Sequence, residues 1–346
     1  MRVRHLLVFL LSISVSFAQG YDMSGDEEFI RSIPKKPQSK GLATAVYPES
    51  YDLTKYMPPI GDQEGSGSCL AWTLSYYSMS ILYNKHFDIV DRTAKFALAF
   101  DPYYVYNSRF GDNYTKEQLC RDGMGWPFAF RHLERKGNKR LAIPPYDLDC
   151  QKRNEESNLY NREEFNKAID YSLGYNIRPE HYLSPEDFDY IDNIKQEIYY
   201  EKSPVPIGIS YYGEGLAKAG KNGGYFQPNS VLKTDEERKG HAMTIVGYDD
   251  YVMGGSVLVA NSWGEDWGNN GFLWISYEDL RAYTHITVTV EPRFRGTSIR
   301  EKTNYKYGEG GFGRYEYSNG DFYEGEFVDI ELPDGRRAIR LSLIHI

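Results

Sequence analysis

The sequence predicts an α+β fold, and three observations carry that expectation. After a lone cysteine, Cys69, the residues Trp72, Tyr76, Met79 and Tyr83 recur at helical spacing. Later in the chain, short apolar runs at 204–210, 244–248 and 257–260 read as buried strands. Residues 286–290, Ile-Thr-Val-Thr-Val, alternate at the period of a strand that closes a sheet.

The elements follow in order. The first residues, MRVRH, are basic; a twelve-residue apolar run and Ala18-Gln19-Gly20 come next. That pattern is a cleaved secretory signal over residues 1–18, with an uncleaved anchor as the alternative, and the run is short for a bilayer span. Secretion or a periplasmic location is expected. Residues 19–46 are polar, carry Pro34 and Pro37, and show no periodicity, so a flexible lead-in is expected. The folded domain begins at residue 47. Residues 97–106 suggest a turn and a helix, and 126–133 a further helix on which His132 is read as a surface residue. Residues 144–147 read as a turn, 194–201 as an amphipathic helix, and 211–239 as loop.

With 346 residues the chain holds one large or two small domains. Its 31 tyrosines and 17 phenylalanines support a packed core and argue against disorder. A formal net charge of −9 argues against a nucleic-acid partner.

Cys69 follows a loop of small residues, Gly65-Ser66-Gly67-Ser68, and stands at the start of the predicted helix. The helix dipole there favours thiolate. Two readings stand at this point, a nucleophile and a buried structural cysteine. Two distant stretches bear on the choice. Gly240-His241-Ala242-Met243 heads one apolar strand, and Ala260-Asn261-Ser262-Trp263-Gly264 ends the next. A histidine and an asparagine so placed meet across a sheet and supply a base for the thiol and an orienter for the base.

In these motifs the chain resembles the papain-like cysteine peptidases. The likeness covers about residues 47–290. It implies a two-lobe fold, with a helical lobe carrying Cys69 and a β-barrel-like lobe carrying His241 and Asn261. It also implies that Gln63, six residues before Cys69, supplies a side-chain donor to an oxyanion hole beside the cysteine N–H. Gly123-Met124-Gly125 matches the family's glycine-rich wall, whose backbone pairs with an extended substrate. Met124 stands where the family has glycine, which narrows that pairing. By the same likeness Trp263 covers the His–Asn hydrogen bond and Trp267 lines the leaving-group side; the alternative is two core tryptophans. A thiolate–imidazolium resting pair, a peptide or protein substrate, and no metal or organic cofactor are implied. With the free thiol assigned to Cys69, Cys120 and Cys150 are expected to pair, against the alternative of two reduced cysteines. Two departures from the family matter. Ser66 replaces a cysteine and Leu70 a tryptophan. His241 follows Cys69 at 172 residues, beyond the roughly 130–150 of the family, so an insertion is expected within 151–239. The lead-in looks too short for the family's inhibitory prosegment.

Residues 291–304 read as a linker. Residues 305–340 resemble a MORN repeat, a short hairpin unit, through Gly311-Phe312-Gly313, Asn319-Gly320-Asp321 and Tyr323-Glu324-Gly325. Asn319-Gly320 suits a two-residue hairpin turn. Seven acidic and three basic residues over 301–329 disfavour anionic lipid, so a protein partner fits this segment better and membrane contact is left open. The final LSLIHI breaks the pattern; residues 341–346 read as a sequencing artefact, with further repeats expected past Arg340. Asn113-Tyr114-Thr115 matches a glycosylation signal. The favoured function is an exported cysteine endopeptidase. The alternatives are an inactive papain-fold scaffold or adhesion protein, and an aminopeptidase or acyl transferase using the same site.

Overall fold

A computed structural model describes residues 20–37, 46–108, 120–141, 175–212, 215–227 and 238–294, with strand segments 302–303, 311–316, 322–331 and 337–341. The signal segment, Cys150, Asn113 and the tail 342–346 lie outside the described residues. Among those residues no helix is long and apolar enough to cross a membrane.

Residues 20–37 of the stretch expected as a flexible lead-in are folded onto the body. Helix α1, Asp26–Ser32, carries three acidic residues in its first turn, where the helix dipole favours them. Tyr21, Phe29 and Ile33 are buried, and Phe29 stacks on Phe130 at 5.6 Å between ring centroids. Three apolar anchors in a polar stretch are too few to give a periodic signal, which is why the sequence hid them.

Strand β1, Ser50–Asp52, leads to the central helix. That helix, α2, runs through three contiguous segments, Cys69–Ala71, Trp72–Met79 and Ser80–His86, the middle one wound as a π-helix. Every residue from Cys69 to Leu82 is buried, which explains a sequence apolar on all faces. The buried Ser78 hydroxyl donates to the Thr73 carbonyl at 2.7 Å, inside the widened turn. Three helices surround it: α3 (Arg92–Ala97), α4 (Pro102–Asn107) and α5 (Trp126–Arg135). Asp101 caps α4 by accepting the Tyr103 and Tyr104 N–H groups, with Pro102 in the first turn. His132 on α5 is 5% exposed, not a surface residue. Its Nδ1 lies 2.7 Å from the Ser108 hydroxyl, and burial pushes its pKa down to about 3.

The second half supplies a seven-stranded antiparallel sheet. Its strands are β2 (Tyr175–Tyr182), β3 (Val205–Tyr212), β4 (Arg238–Asp249), β5 (Ser256–Ala260), β6 (Phe272–Ser276) and β7 (Thr284–Phe294), in the order β2-β7-β3-β4-β5-β6 with β1 beside β4. Helix α6, Tyr190–Gln196, continues through Glu197–Glu201 and matches the amphipathic run. Two elements depart from the sequence reading. Part of the expected loop is helix α7, Gly215–Lys221, and β2 lies in a stretch read only as polar. Strand β7 also runs past the expected boundary at 290. Helix α8, Tyr277–Tyr283, is capped by Ser276, whose hydroxyl accepts the Asp279 N–H.

Towards the C-terminus β8 (Lys302–Thr303), β9 (Gly311–Glu316), β10 (Phe322–Glu331) and β11 (Arg337–Leu341) form a four-stranded sheet in the order β11-β10-β9-β8. Phe322 pairs with Glu316 and Phe327 with Gly311, an antiparallel hairpin where one was expected. The residues between Glu316 and Phe322, including Asn319 and Gly320, lie outside the described set.

Candidate active site

Three local designs bring the expected residues together. On the helical side, the loop before α2 folds back on itself. Ser66 donates its hydroxyl to the Gln63 carbonyl at 2.7 Å and lies 2.6 Å from the Ser68 hydroxyl. A side-chain hydrogen bond thus ties the loop where the family has a cysteine. Gly67 donates its N–H to the Cys120 carbonyl at 2.8 Å; a Cβ there would stand 2.6 Å from the Asp122 carbonyl oxygen. Only glycine permits that approach. Cys69 emerges from this loop as the first helical residue.

On the sheet side, Ile209 pairs with His241 and Thr244 with Ala260. The second register places His241 just beyond the end of β5, level with residues 261–263. His241 Nε2 lies 2.8 Å from Asn261 Oδ1, and the same oxygen accepts the Ser262 N–H at 2.9 Å. A backbone donor identifies that atom as oxygen, so His241 Nε2 must donate, and Nδ1 is left as the ring's proton acceptor. Trp263 covers the imidazole, with ring centroids 4.7 Å apart and planes tilted by 34°. Trp267 meets Trp263 edge-on at 5.2 Å.

The two sides are stitched together by Ser262. Its hydroxyl donates to Gln63 Oε1 at 2.6 Å, and its carbonyl accepts the Gln63 N–H at 2.8 Å. Gln63 Nε2 donates one proton to the Ser66 carbonyl at 2.7 Å, which leaves its second proton for another acceptor. Tyr77 on α2 donates to the Asn261 carbonyl at 2.8 Å. The Cys69 thiol faces the backbone N–H of Ala242, the residue after His241. Ser262 and the backbone of Ala242 thus link the neighbourhoods of Cys69, His241, Asn261 and Gln63.

A segment that sequence reasoning missed closes over this neighbourhood. Residues 20–24 pass over the thiol as a strap. The Tyr21 N–H faces Cys69, and the backbone of residues 20–22 lies against Gly123, where a Cβ would stand 2.4 Å from the Gly20 oxygen and 2.6 Å from the Asp22 nitrogen. Gly125 faces the Asp22 carbonyl, at 3.5 Å from the position of a Cβ. Met124 between the two glycines is 1% exposed and turns into the core. The wall glycines thus lie against a backbone, here the chain's own. Cys69 is fully buried and His241 2% exposed.

This covering works against the expected ion pair. Burial pushes the Cys69 thiol up to about 11, against smaller lowering by the Ala242, Leu70 and Tyr21 N–H groups. Burial pushes His241 down to about 4, with Asn261 acting weakly in the other direction. In the covered state desolvation disfavours the charged form of each group. Among the described residues no cluster of His, Cys, Asp and Glu could hold a metal ion. Cys69 is a free thiol; Cys120 is buried, and the Cys150 half of the expected bridge is outside the described residues.

A thiol at a helix start, beside the strand that carries a histidine bonded to an asparagine, is an arrangement suited to cysteine-type peptidase chemistry. Residues 117–290, just over half of the chain, match the family described as Papain family cysteine protease, and the chain belongs to that family. Cathepsin B-like CP3 of Giardia intestinalis is 25% identical over 254 residues, spanning 67% of this chain and 71% of that protein. Papaya proteinase 4 of Carica papaya is 34% identical over 68 residues, 20% of this chain and only 18% of that protein. Two solved structures share the fold. Xylellain, a cysteine protease from Xylella fastidiosa, aligns with a TM-score of 0.53 at 19% identity over 80% of this chain and 96% of its own. ProCathepsin B S9 from Trypanosoma congolense aligns at 0.52 and 17% identity, over 80% and 87% respectively.

Proposed function

We propose that the chain is an exported cysteine endopeptidase, with Cys69 as nucleophile, His241 as general base and acid, Asn261 as orienter and Gln63 as oxyanion donor. The observation that carries this reading is the 2.8 Å contact between His241 Nε2 and Asn261 Oδ1 beside the thiol. Once the strap is displaced, water returns to the cleft and both catalytic groups regain access to their charged forms. The imidazole takes the thiol proton on Nδ1, and sulfur attacks the substrate carbonyl carbon. The carbonyl electrons move to oxygen, where the free Gln63 Nε2 proton and the Cys69 N–H stabilise the charge. Such donors, fixed in a dry site, are worth several kcal/mol. His241 then protonates the leaving amine, and a water deprotonated by the same ring hydrolyses the thioester.

The strap meets the sulfur through the Tyr21 N–H. Residues 1–18 are proposed as the export signal, Cys120 and Cys150 as a disulfide, and the hairpin of β9 and β10 as a MORN-type unit that docks a protein partner.

The test uses the purified full chain. Cys69→Ala is expected to abolish hydrolysis of an unstructured protein substrate and labelling by an epoxysuccinyl inhibitor. Hydrolysis retained in the pure variant refutes the assignment. The covered cleft also favours the second reading, a papain-fold scaffold without activity. A protein that stays unlabelled even when the strap is loosened supports that alternative.

A further inference from the structure

A buried hydroxyl that the chemistry above leaves without a task joins the two sides of the site. Tyr77 lies on the π-wound segment of α2, eight positions after Cys69, and is 1% exposed. Its hydroxyl donates to the Asn261 carbonyl at 2.8 Å and accepts the Gly61 N–H at 3.2 Å. Those two partners belong to the two strands of a short ribbon. The Gln63 N–H donates to the Ser262 carbonyl at 2.8 Å, the Gly264 N–H donates to the Gly61 carbonyl at 3.1 Å, and Asp62 bridges Trp263 in the antiparallel sense. One strand carries Gln63 and the other continues from Asn261. Residue 61 must be glycine for the ribbon to lie this close to α2, since a Cβ there would stand 2.1 Å from the Trp72 ring. Burial pushes the pKa of the Tyr77 hydroxyl above its usual range, so the proton it donates stays in place at any working pH. The Tyr77 ring meets Tyr76 edge-on, with centroids 5.1 Å apart, and a phenylalanine would keep that packing. It is the hydroxyl that registers the ribbon on the helix.

We propose that Tyr77 is a positioning residue for the peptidase reaction, and that its hydroxyl sets the spacing between the two oxyanion donors. The proposal rests on the peptidase reading and concerns the same site. The Cys69 N–H belongs to the helix, and the Gln63 amide belongs to the ribbon. Both must reach one oxygen in the transition state, so the two elements need a fixed separation. The Tyr77 bonds to Gly61 and Asn261 supply it from the helix side, as the Ser262 bonds to Gln63 do from the sheet side. Removing only the hydroxyl leaves a buried N–H and a buried carbonyl without that partner. The ribbon then shifts towards other partners, and Gln63 moves with it. The oxyanion carries its charge only in the transition state, so the loss falls on kcat rather than on KM. A misplaced donor costs less than a missing one. The expected loss is about tenfold, against the roughly 10²- to 10³-fold lost with a whole donor.

The experiment uses the full chain carrying Tyr21→Ala, so that the cover does not limit turnover, or Asp26→Asn if the first variant does not fold. The substrate is a peptide anilide, whose acylation step is slow. Adding Tyr77→Phe should lower kcat about tenfold and leave KM within about twofold. A peptide aldehyde, which the thiol converts to a hemithioacetal with its oxygen at the oxyanion position, should bind about tenfold more weakly. In a Gln63→Ala background the same change should alter kcat and aldehyde affinity by less than about twofold, because the donor it aims is gone. A folded Tyr77→Phe enzyme with unchanged kcat, with the loss confined to KM, or with the same tenfold loss after Gln63→Ala overturns the positioning role and leaves the peptidase standing. Where Tyr77→Phe does not fold, a ring-fluorinated tyrosine at that position takes its place. Its more acidic hydroxyl donates more strongly and accepts more weakly, so aldehyde affinity should change by at least about twofold with Gln63 present and hold constant with Gln63→Ala. Affinity that holds constant in both, or changes equally in both, overturns the role as well. Absence of both hydrolysis and epoxysuccinyl labelling of Cys69 before residue 77 is changed overturns the two readings together.

Discussion

The strands that carry His241 and Asn261 and the strap that covers them meet at one sulfur, yet they are held by different forces. Strand β4 is bonded along both edges, to β3 over Val205–Tyr212 and to β5 over Ser256–Ala260. Moving it would break a ladder of backbone hydrogen bonds. The strap segment is held by three apolar anchors, the Asp26–His285 contact, two lysine ion pairs, and short backbone links such as Lys36 N–H to the Tyr182 carbonyl at 3.0 Å. The first is fixed by cooperative structure, and the second by a few side chains that can be removed singly. The geometry of the candidate site and its cover are therefore separable in this fold, and variants can break that separation.

The largest effect is expected on the fixed side. His241→Ala should lower kcat/KM by about 10²- to 10⁴-fold, the usual contribution of a positioned acid–base group. Its thermal unfolding should change little. A variant that unfolds instead would show that the pair holds the lobes together rather than performing chemistry.

Tyr21→Ala tests the separable side. Truncating a buried aromatic costs about 3–5 kcal/mol when the space cannot collapse. Part of that is recovered as water enters the space it leaves, so Cys69 alkylation is expected to speed up by about 100-fold at pH 7. An unchanged rate would mean that the strap is not what buries the thiol.

These two segments also differ in how far they could be read from sequence. Cys69, Gln63, His241 and Asn261 each sit in a local pattern of glycine, apolar and aromatic residues, because each occupies a cap, a strand end or a tight turn with its own chemistry. Strand β7 announced itself by alternation, and α6 by amphipathicity. The strap had no such pattern. Tyr21, Phe29 and Ile33 are scattered among charges, and what selects their place is a surface assembled from α5, β3, β4 and β7. His285 likewise reads as one more residue of an alternating strand until Asp26 is found beside it. The same is true of the thiol and imidazole: the residues were legible, but the desolvation that works against their charged forms depends on a cover contributed from some fifty residues upstream. Ser262 was visible as part of the motif, whereas its bond to Gln63 across 199 positions was not.

A titration sharpens the comparison next. His241 is held at about 4 in the covered state, below its usual range, by burial. A base with a depressed pKa stabilises the covered form above its ordinary value near 6.5. That stability is lost as pH falls from about 6.5 towards 4, by up to about tenfold in the equilibrium per pH unit. Hydrogen exchange at residues 20–24, corrected for intrinsic rates, should therefore accelerate over that window, and His241→Ala should flatten the response. Asp26 works in the opposite sense near the acid end, since burial raises its pKa and the docked strap favours the protonated carboxyl. Asp26→Asn should remove that countercurrent and steepen the change.

The smallest effects separate two ion pairs that look alike in sequence. Lys36 and Glu197 lie 2.5 Å apart with side chains 13% and 7% exposed, whereas Lys35 and Asp187 lie 2.8 Å apart with the lysine side chain 52% exposed. Removing Lys36 leaves a buried carboxylate without its cation, and burial already pushes the Glu197 pKa up, so the carboxyl takes a proton instead of paying the full cost of a lone charge. Lys36→Ala should then speed Cys69 alkylation by about tenfold. The neighbouring pair is half in water and screened, and such pairs contribute roughly 0–1 kcal/mol. Lys35→Ala should change the rate by about threefold at most, and less in high salt. Equal effects from the two lysines would mean that adjacent charge, and not burial, anchors the C-terminal end of the strap segment.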